Sequence, residues 1–334
     1  MVPFDILADA TVALLVLWVT LAVWIVTVRV RHDRLRRDRA SDARLLADGA
    51  DGSSWRRPRL LRVADGEAGP GAAAAARELF RRDARKLKRH ARSGSIGRTH
   101  ELRVLVRANA PGAFGVVRSA YRRSTPDVRA AIVAIAAEQE SREADDLLLD
   151  ILVDGSHPRS RTATELAPRA FRLVDRLLEL SSHEEPDVRY WALMLLRATA
   201  ADPRATAAAV AASRDPMGAV RAAAARLLGD SISRDVQPAL RALLADDVFF
   251  VRAHAARAVG EIGARPLAAN VASLLADESW WVRAAAKEGL LMLGRSGLSA
   301  ASSMRTADDP FARDGAEEVV SAFRREATSL ELVG

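Results

Sequence analysis

A short segment that recurs about every 31 residues constrains the fold of this chain more than any other feature. The segment ADDVFFVRAHAARAVGEIG begins at Ala245 and ADESWWVRAAAKEGLLMLG begins at Ala276, so the two copies align residue by residue. The arginines in the same register are Arg98, Arg129, Arg189, Arg221, Arg252, Arg283 and Arg313. The gap between Arg129 and Arg189 leaves room for a degenerate copy near residues 158–161, which predicts about eight units over residues 95–334.

Within each unit the apolar residues follow the period of an α-helix. Val282, Ala285, Ala286 and Leu290 are three or four residues apart, which places them on one helix face. A glycine then ends the first helix, because glycine can adopt the left-handed conformation without a steric clash. These glycines are Gly229, Gly263 and Gly294. A second apolar run follows, so each unit is expected to form two antiparallel helices that bury their apolar faces only by stacking on neighbouring units.

The segment LLADD followed by VRAHAARAVGEIG resembles the HEAT repeat, in the short bacterial form that is also called the phycobilin-lyase-like HEAT repeat. The resemblance covers most of residues 95–334 and is strongest over 186–294. It implies an all-α fold, with a right-handed α-solenoid of about eight HEAT-like helix pairs.

The resemblance also implies a ladder of hydrogen bonds along the turns between repeats, which an aspartate shares with the arginine six residues later. The matching pairs are Asp215 with Arg221, Asp246 with Arg252, and Asp277 with Arg283. His183 replaces the acid before Arg189, and Glu184 or Glu185 could substitute for it. Exposed ion pairs contribute only about 0.2–1 kcal/mol each, whereas burial of a valine contributes roughly 1.5–3 kcal/mol. We therefore expect the ladder to set the register of the units more than their stability.

Two aromatic pairs precede the Val-Arg pairs of the strongest repeats. The helical phase puts Trp281 and Phe250 beside the core and Trp280 and Phe249 on the outer side, where other units have proline. Two interpretations remain open for Trp280 and Phe249. The rings either fold down over the neighbouring turn or form an aromatic anchor pair for a protein partner.

An uncharged segment of nineteen residues, 10–28, lies near the N-terminus. As a helix it would extend roughly 28 Å, close to the thickness of a bilayer's hydrocarbon core. No basic residue precedes it, and it is followed by Arg29, Arg31, Arg34, Arg36, Arg37 and Arg39. The sequence therefore predicts a single transmembrane anchor over residues 1–31, in the cell membrane, with the N-terminus outside and the solenoid in the cytoplasm. Those six arginines are candidate contacts for the anionic lipid surface.

The charge excess of the chain is concentrated after this segment. The full chain has a net charge of +7, but residues 29–98 alone have a net charge of +11 and residues 99–334 a net charge of −2. Residues 32–75 read as a basic juxtamembrane segment and a mobile, glycine-rich linker. Residues 76–94 read as a basic amphipathic capping helix, with its apolar stripe either covering the end of the stack or lying on lipid.

Residue types that support catalysis are sparse. The chain has no cysteine, and its six histidines show no paired spacing for a metal. His254 and His183 are expected to be solvated or capping residues. No nucleophile, base and orienting group come together, so we expect no enzymatic activity, no cofactor, no metal and no small-molecule substrate.

The expected function is a membrane-anchored cytoplasmic adaptor that binds a protein partner. Bacterial proteins with this layout resemble accessory subunits of membrane complexes, including some linked to glycosyltransferases, which is an analogy at the level of fold. Two alternatives are a lyase-like HEAT enzyme, which would need a deep tetrapyrrole pocket, and a nucleic-acid-binding HEAT protein. The acidic balance of residues 99–334 argues against nucleic acid.

Overall fold

The computed structural model describes residues 4–91, 99–109, 112–233 and 235–331, with the side chains of residues 4–20, 22, 23 and 326–331 outside the description. The regular structure in this part of the chain is entirely helical, as expected for the predicted all-α fold. Contacts between Cα atoms divide the chain into two compact units, residues 1–147 and 148–334.

The helices of the first unit are α1 (Phe4–Ala47), α2 (Arg57–Ala64), α3 (Pro70–Ala91), α4 (Thr99–Arg107), α5 (Ala113–Arg122) and α6 (Pro126–Ala137). The boundary between the units lies within α7 (Arg142–Asp154). The helices of the second unit are α8 (Arg159–Leu166), α9 (Val174–Leu180), α10 (Pro186–Leu196), α11 (Pro203–Ala212), α12 (Gly218–Gly229), α13 (Gln237–Leu244), α14 (Phe249–Glu261), α15 (Ala268–Ser273), α16 (Trp280–Met292), α17 (Arg295–Ser303) and α18 (Pro310–Glu331).

Helix α1 runs without a break through the predicted anchor boundary at residue 31. In the part of the chain that the structure describes, no helix combines the length and the apolar character needed to cross a bilayer. Most side chains of the predicted span 10–28, those of residues 10–20, 22 and 23, lie outside the described residues. The predicted anchor therefore gains no support from this structure.

The glycine-rich part of the predicted linker, residues 47–73, forms packed structure. It contains α2, whose Leu60 is fully buried, and Arg59 of α2 binds Asp42 of α1 through two hydrogen bonds of 2.6 and 3.0 Å. Gly71 lets α3 approach α1, because a Cβ atom at this position would lie 1.9 Å from the carbonyl oxygen of Ala43. Glycine here permits a close contact between helices, and composition alone cannot distinguish this role from flexibility.

The basic amphipathic helix predicted at residues 76–94 lies within the longer helix α3, and residues 92–94 are outside the described part of the chain. Leu79, Leu87 and Ala91 of its apolar stripe are fully buried, and Phe80 is half-buried. Helix α3 contacts α1, α2 and α4. The stripe is therefore covered by protein, which favours the capping alternative over lipid contact.

The second unit is a stack of helix pairs. Helices α10, α12, α14, α16 and α18 pack on one another in sequence order, and each is preceded by a shorter helix that packs against it. The valine of each Val-Arg pair points into the core, where Val188, Val220, Val251 and Val282 are fully buried. Apolar burial of this kind is the main source of stability in a repeat stack.

Two of the three predicted helix-ending glycines are left-handed. Gly263 and Gly294 have φ values of 63° and 61°. Gly229 is instead the last residue of α12, and a Cβ atom there would lie 3.0 Å from Cα of Ala258. A second close approach joins α14 to α16, because a Cβ atom on Gly289 would lie 2.4 Å from the carbonyl oxygen of Ala256.

The close approach of α14 and α16 at Gly289 leads to a prediction about stability. We expect Gly289→Ala to lower the free energy of unfolding by about 1–3 kcal/mol, because the added methyl group overlaps a backbone oxygen that cannot rotate away. Thermal unfolding followed by circular dichroism measures the change. Gly115→Ala is the matched control, since a Cβ atom on this helical glycine meets nothing within 4 Å. An equal melting temperature for the wild type and Gly289→Ala would contradict the prediction.

Candidate functional site

A ladder of arginine and aspartate side chains runs along the turns that precede the stacked helices. The Nε and Nη2 atoms of Arg189 donate to the two carboxylate oxygens of Asp215 at 2.7 and 2.9 Å. Arg221 binds Asp246 in the same way at 2.6 and 2.7 Å. Arg252 binds Asp277 at 2.7 and 2.9 Å, so three successive rungs are bidentate ion pairs.

Each rung aspartate contacts two arginines, one through its carboxylate and one through its backbone carbonyl oxygen. Each carboxylate binds the arginine of the preceding unit, 25 or 26 residues earlier, and not the arginine six residues later. The arginine six residues later reaches the backbone instead. Nη1 of Arg252 donates to the carbonyl oxygen of Asp246 at 2.8 Å, and Nη1 of Arg283 donates to that of Asp277 at 2.8 Å. Each arginine therefore fixes its own turn and holds the next one.

In the turn where His183 replaces the aspartate, His183 and Glu185 together make the contacts that an aspartate makes in the other units. The carbonyl oxygen of His183 accepts from Arg189 at 2.8 Å, as the aspartates do in the other units. The ring atom Nδ1 of His183 accepts from the backbone N–H of Glu185 at 3.1 Å, so this histidine caps the turn. The Glu185 carboxylate accepts from Arg159 at 2.6 Å, which is the substitution that the sequence allowed. Arg159 itself lies in the predicted degenerate copy.

The last rung lacks its carboxylate. In the turn before α18, the carbonyl oxygen of Ala307 accepts from Arg313, so Ala307 occupies the place of the aspartate. The guanidinium of Arg283 lies over the ring of Phe311 instead, 4.4 Å from its centroid. The ladder of bidentate pairs thus ends at Asp277, and a cation–π contact replaces the next pair.

The rungs are less exposed than an ordinary surface ion pair. The rung aspartates have 6–8% of their side-chain area exposed, and their arginine partners have 12–13%. Burial by itself would raise the pKa of Asp215, but the hydrogen bonds from Arg189 and the Met217 N–H outweigh burial and lower it. The pKa of Asp246 is lowered against burial in the same way. Removal of one partner from such a shielded pair is therefore expected to cost more than removal of one partner from an exposed pair, because it strips a shielded charge of its closest partner.

Aromatic rings lie on the same edge, in the first turns of α14, α16 and α18. We call Phe249, Phe250, Trp280, Trp281 and Phe311 the aromatic edge. Phe249 is 43% exposed, and Trp280 is 60% exposed. Trp281 is 61% exposed, so its predicted packing role is wrong, whereas Phe250 is half-buried beside Gly218 of the preceding unit. The rings pair edge to face within each unit, with centroids 5.5 Å apart for Phe249 and Phe250 and 4.9 Å apart for Trp280 and Trp281.

The helical phase alone misplaced Trp281. Its ring lies edge to face with that of its neighbour Trp280 and stays exposed. Tyr190 and Trp191 make a similar pair in α10, with centroids 5.1 Å apart. Sequence reasoning did not single out this third pair, although two adjacent aromatics after the Val-Arg pair were a visible signal.

Exposed carboxylates accompany the aromatic edge. Asp247 is 85% exposed and Glu278 is 90% exposed. They stand two residues before Phe249 and Trp280, and each directly follows a rung aspartate. Each of the three bidentate rungs joins one arginine to one aspartate, and Asp247 and Glu278 add an exposed carboxylate beside Arg221 and Arg252.

The candidate lipid contacts lie on α1. The side chains of Arg29, Arg31, Arg34, Arg36, Arg37 and Arg39 are all exposed. Exposed apolar side chains precede them on the same helix, and they are Leu21, Trp24, Ile25, Val26 and Val28.

His254 is half-buried, in contrast to the solvated or capping role that was expected. Its Nε2 atom lies 3.0 Å from Nη2 of Arg226. Burial, together with the charges of Arg226, Arg257 and Arg197, lowers its pKa to about 4, so the ring is neutral near pH 7. Among the described residues, no group of histidine, aspartate and glutamate side chains is arranged to hold a metal ion.

Stacked helix pairs joined by an arginine–aspartate ladder define an α-helical repeat stack. The family model for HEAT repeats matches residues 174–252 and 206–292, which supports the resemblance seen in the sequence. No curated protein matches this chain.

Several solved structures are similar in fold. Kap121p bound to Pho4p has a TM-score of 0.52 and 13% identity, over 83% of this chain and 39% of that one. This chain thus spans less than half of Kap121p. Human deoxyhypusine hydroxylase in complex with glycerol has a TM-score of 0.32 and 16% identity, over 77% of this chain and 100% of that one. An engineered protein has a TM-score of 0.38 and 17% identity, over 86% and 92% of the two chains. At these identities the likeness to Kap121p shows the fold alone.

Proposed function

We propose that this protein is a scaffold that docks a protein partner on its aromatic edge. The observation that supports this proposal most directly is the exposure of Trp280 and Trp281, about three-fifths of each side chain, on adjacent residues of an ordered helix. Tryptophan is among the residues that contribute most to binding energy when an interface covers it. A monomeric protein seldom leaves such rings uncovered in one cluster.

The ladder supports the same role. It fixes the turns from which the rings project, because each rung arginine binds its own turn and the next. Rings on fixed turns lose little conformational entropy when a partner binds. The side chains of this edge offer apolar area and carboxylates, which suit recognition, and we therefore propose a binding function and not a catalytic one.

We further propose that the protein is tethered to the cell membrane, with the second unit in the cytoplasm and the partner in the same membrane. Support comes from the exposed apolar side chains of α1, among them Trp24 at 63% exposure, followed directly by exposed arginines. Apolar side chains next to a basic run are typical of a membrane span and its cytoplasmic flank. A bilayer would cover this surface, which water otherwise surrounds.

The docking proposal is tested by Phe249→Ser combined with Trp280→Ser. This double variant is expected to reduce partner recovery at least tenfold, because it removes two side chains that each contribute about 1–2 kcal/mol or more to binding. Its melting temperature is expected to change little. Affinity capture of the intact protein from gently solubilised membranes, with quantitative mass spectrometry, measures recovery. Phe171→Ser with Ile232→Ser is the matched control, since both side chains are exposed and lie outside the aromatic edge. A large loss of thermal stability would show that the rings belong to the core, and undiminished recovery would refute the docking role.

A further inference from the structure

We infer that the aromatic edge recognises an extended, arginine-rich segment of its protein partner. This inference rests on the docking function proposed above and specifies the chemistry of what is docked. Three observations support it: the surplus of exposed carboxylates, a cation–π contact that the edge already makes, and the regular spacing of the units.

The first observation concerns charge. Each rung arginine is already paired with the aspartate of the next unit, at 2.6–2.9 Å. Asp247 and Glu278 remain 85% and 90% exposed, although Asp247 also lies 2.7 Å from Arg221 and Glu278 lies 3.9 Å from Arg252. Two carboxylates thus face each of these arginines. The carboxylates beside Phe249 and Trp280 outnumber the arginines that they face, and this local excess attracts a cationic segment while it repels an acidic one.

The second observation is the contact between Arg283 and Phe311. Phe311 stands two residues before Arg313, as Trp281 stands before Arg283 and Phe250 before Arg252. Ala307 stands in the place of the rung aspartate there, and the guanidinium of Arg283 lies 4.4 Å from the centroid of the Phe311 ring. The aromatic position of this repeat therefore accommodates a guanidinium. Indole attracts a cation more strongly than phenyl does, and Trp281 is 61% exposed, so it offers a better surface for an arginine from outside.

The third observation is the spacing of the edge. The rings lie in the first turns of three successive helices, α14, α16 and α18, that pack directly on each other. Packed helices have axes about 8–10 Å apart, and an extended chain advances about 3.3 Å per residue. A segment with arginine at every third residue therefore brings successive guanidinium groups to the Phe250 and Trp281 positions, while the Phe311 position already carries Arg283. Arginine suits the site better than lysine, because its planar group can stack on a ring and pair with a carboxylate at once.

The test uses the intact chain in detergent micelles and a fluorescent peptide with three arginines, one at every third residue, separated by glycine and serine. Fluorescence anisotropy measures the dissociation constant. We expect the peptide to bind at low salt, and we expect replacement of its arginines by neutral citrulline to weaken binding at least tenfold. Placing the three arginines next to each other is expected to weaken binding about threefold or more, because only one can then reach a ring.

The decisive variant is Asp247→Asn with Glu278→Gln, which removes two charges and preserves shape. It is expected to weaken peptide binding about three- to tenfold without changing the melting temperature. The matched control is Asp175→Asn with Glu179→Gln, two carboxylates on α9 that are 81% and 65% exposed and also face arginines. Equal weakening by the control would overturn the inference, as would equal binding of the citrulline peptide or tighter binding of an acidic one.

The same variant separates this inference from the docking function. If partner capture is lost with Phe249→Ser and Trp280→Ser but is unchanged with Asp247→Asn and Glu278→Gln, docking stands and the arginine-rich segment is refuted. If both variants capture normally, the docking function fails as well. Self-association that the carboxamide variant abolishes would make a second copy of this chain the occupant and would overturn a separate partner.

Discussion

Replacement of Asp246 by alanine is expected to lower the free energy of unfolding by about 2–4 kcal/mol, which is a large effect for one side chain of a repeat protein. The substitution leaves the guanidinium of Arg221 without its bidentate partner in a place where only 13% of that side chain is exposed. It also removes the acceptor for the backbone N–H of Val248, 2.9 Å away. A shielded guanidinium that keeps only the exposed Asp247 carboxylate, and an unsatisfied N–H, both have a desolvation cost that the loss of a surface pair does not have. Urea unfolding followed by circular dichroism gives the change directly.

The adjacent residue supplies the control for this measurement. Asp247 also binds Arg221, at 2.7 Å, but it is 85% exposed. Asp247→Ala should therefore change the free energy of unfolding by no more than about 0.5 kcal/mol. If the two alanine variants are equally stable, burial does not govern the strength of the ladder. Adding Arg221→Met to Asp246→Ala should recover part of the loss, because no unpaired charge is then left behind.

Leu21→Arg combined with Ile25→Arg is expected to move most of the protein from the membrane fraction to the soluble fraction. Both side chains are about half exposed on α1, within the segment 10–28. An arginine in the middle of a span raises the free energy of insertion by about 2.5–3.5 kcal/mol, and Leu21 lies near the middle while Ile25 lies nearer the cytoplasmic end, so the two arginines oppose insertion by roughly 3 kcal/mol or more. Sedimentation of membranes from expressing cells, followed by immunoblotting of both fractions, measures the distribution.

The same helix provides a matched pair of substitutions outside the apolar segment. Leu35 and Leu45 are also exposed on α1, and Leu35→Arg with Leu45→Arg introduces the same two charges at exposed positions outside the apolar segment. This control protein should remain with the membranes. If both variants sediment with membranes like the wild type, or if the wild type is itself found in the soluble fraction, the tether is refuted.

The repeat itself was predictable from the sequence, because its period depends on a few residue types. Val188, Val220, Val251 and Val282 recur at nearly constant spacing, and each is fully buried. Helical periodicity and this spacing are sufficient to predict stacked pairs. The partners of the rung residues were less predictable, because an aspartate near two arginines in the sequence can bind either one, and only the distance between units decides.

Other features depended on contacts that composition does not encode. The glycine-rich segment 47–73 was expected to be mobile, yet Gly71 is needed where α3 touches α1 at Ala43. Trp281 was assigned to the core by helical phase, yet a ring at the first turn can pack on its neighbour. In both cases the outcome depends on what lies opposite the residue. A single sequence without the tertiary arrangement does not contain that information.

The absence of an aspartate at position 307 has a consequence for how the stack opens. From α10 to α16, a shielded ion pair joins each unit to the next. Helices α17 and α18 are held instead by apolar packing, by the stacking of Arg283 on Phe311 and by the ion pair of Lys287 with Glu318. In a linear array, the weakest junction determines where fraying begins. Helices α17 and α18 can therefore separate from the stack while the units joined by ion pairs stay packed. This would change one end of the proposed binding surface without disturbing the rest.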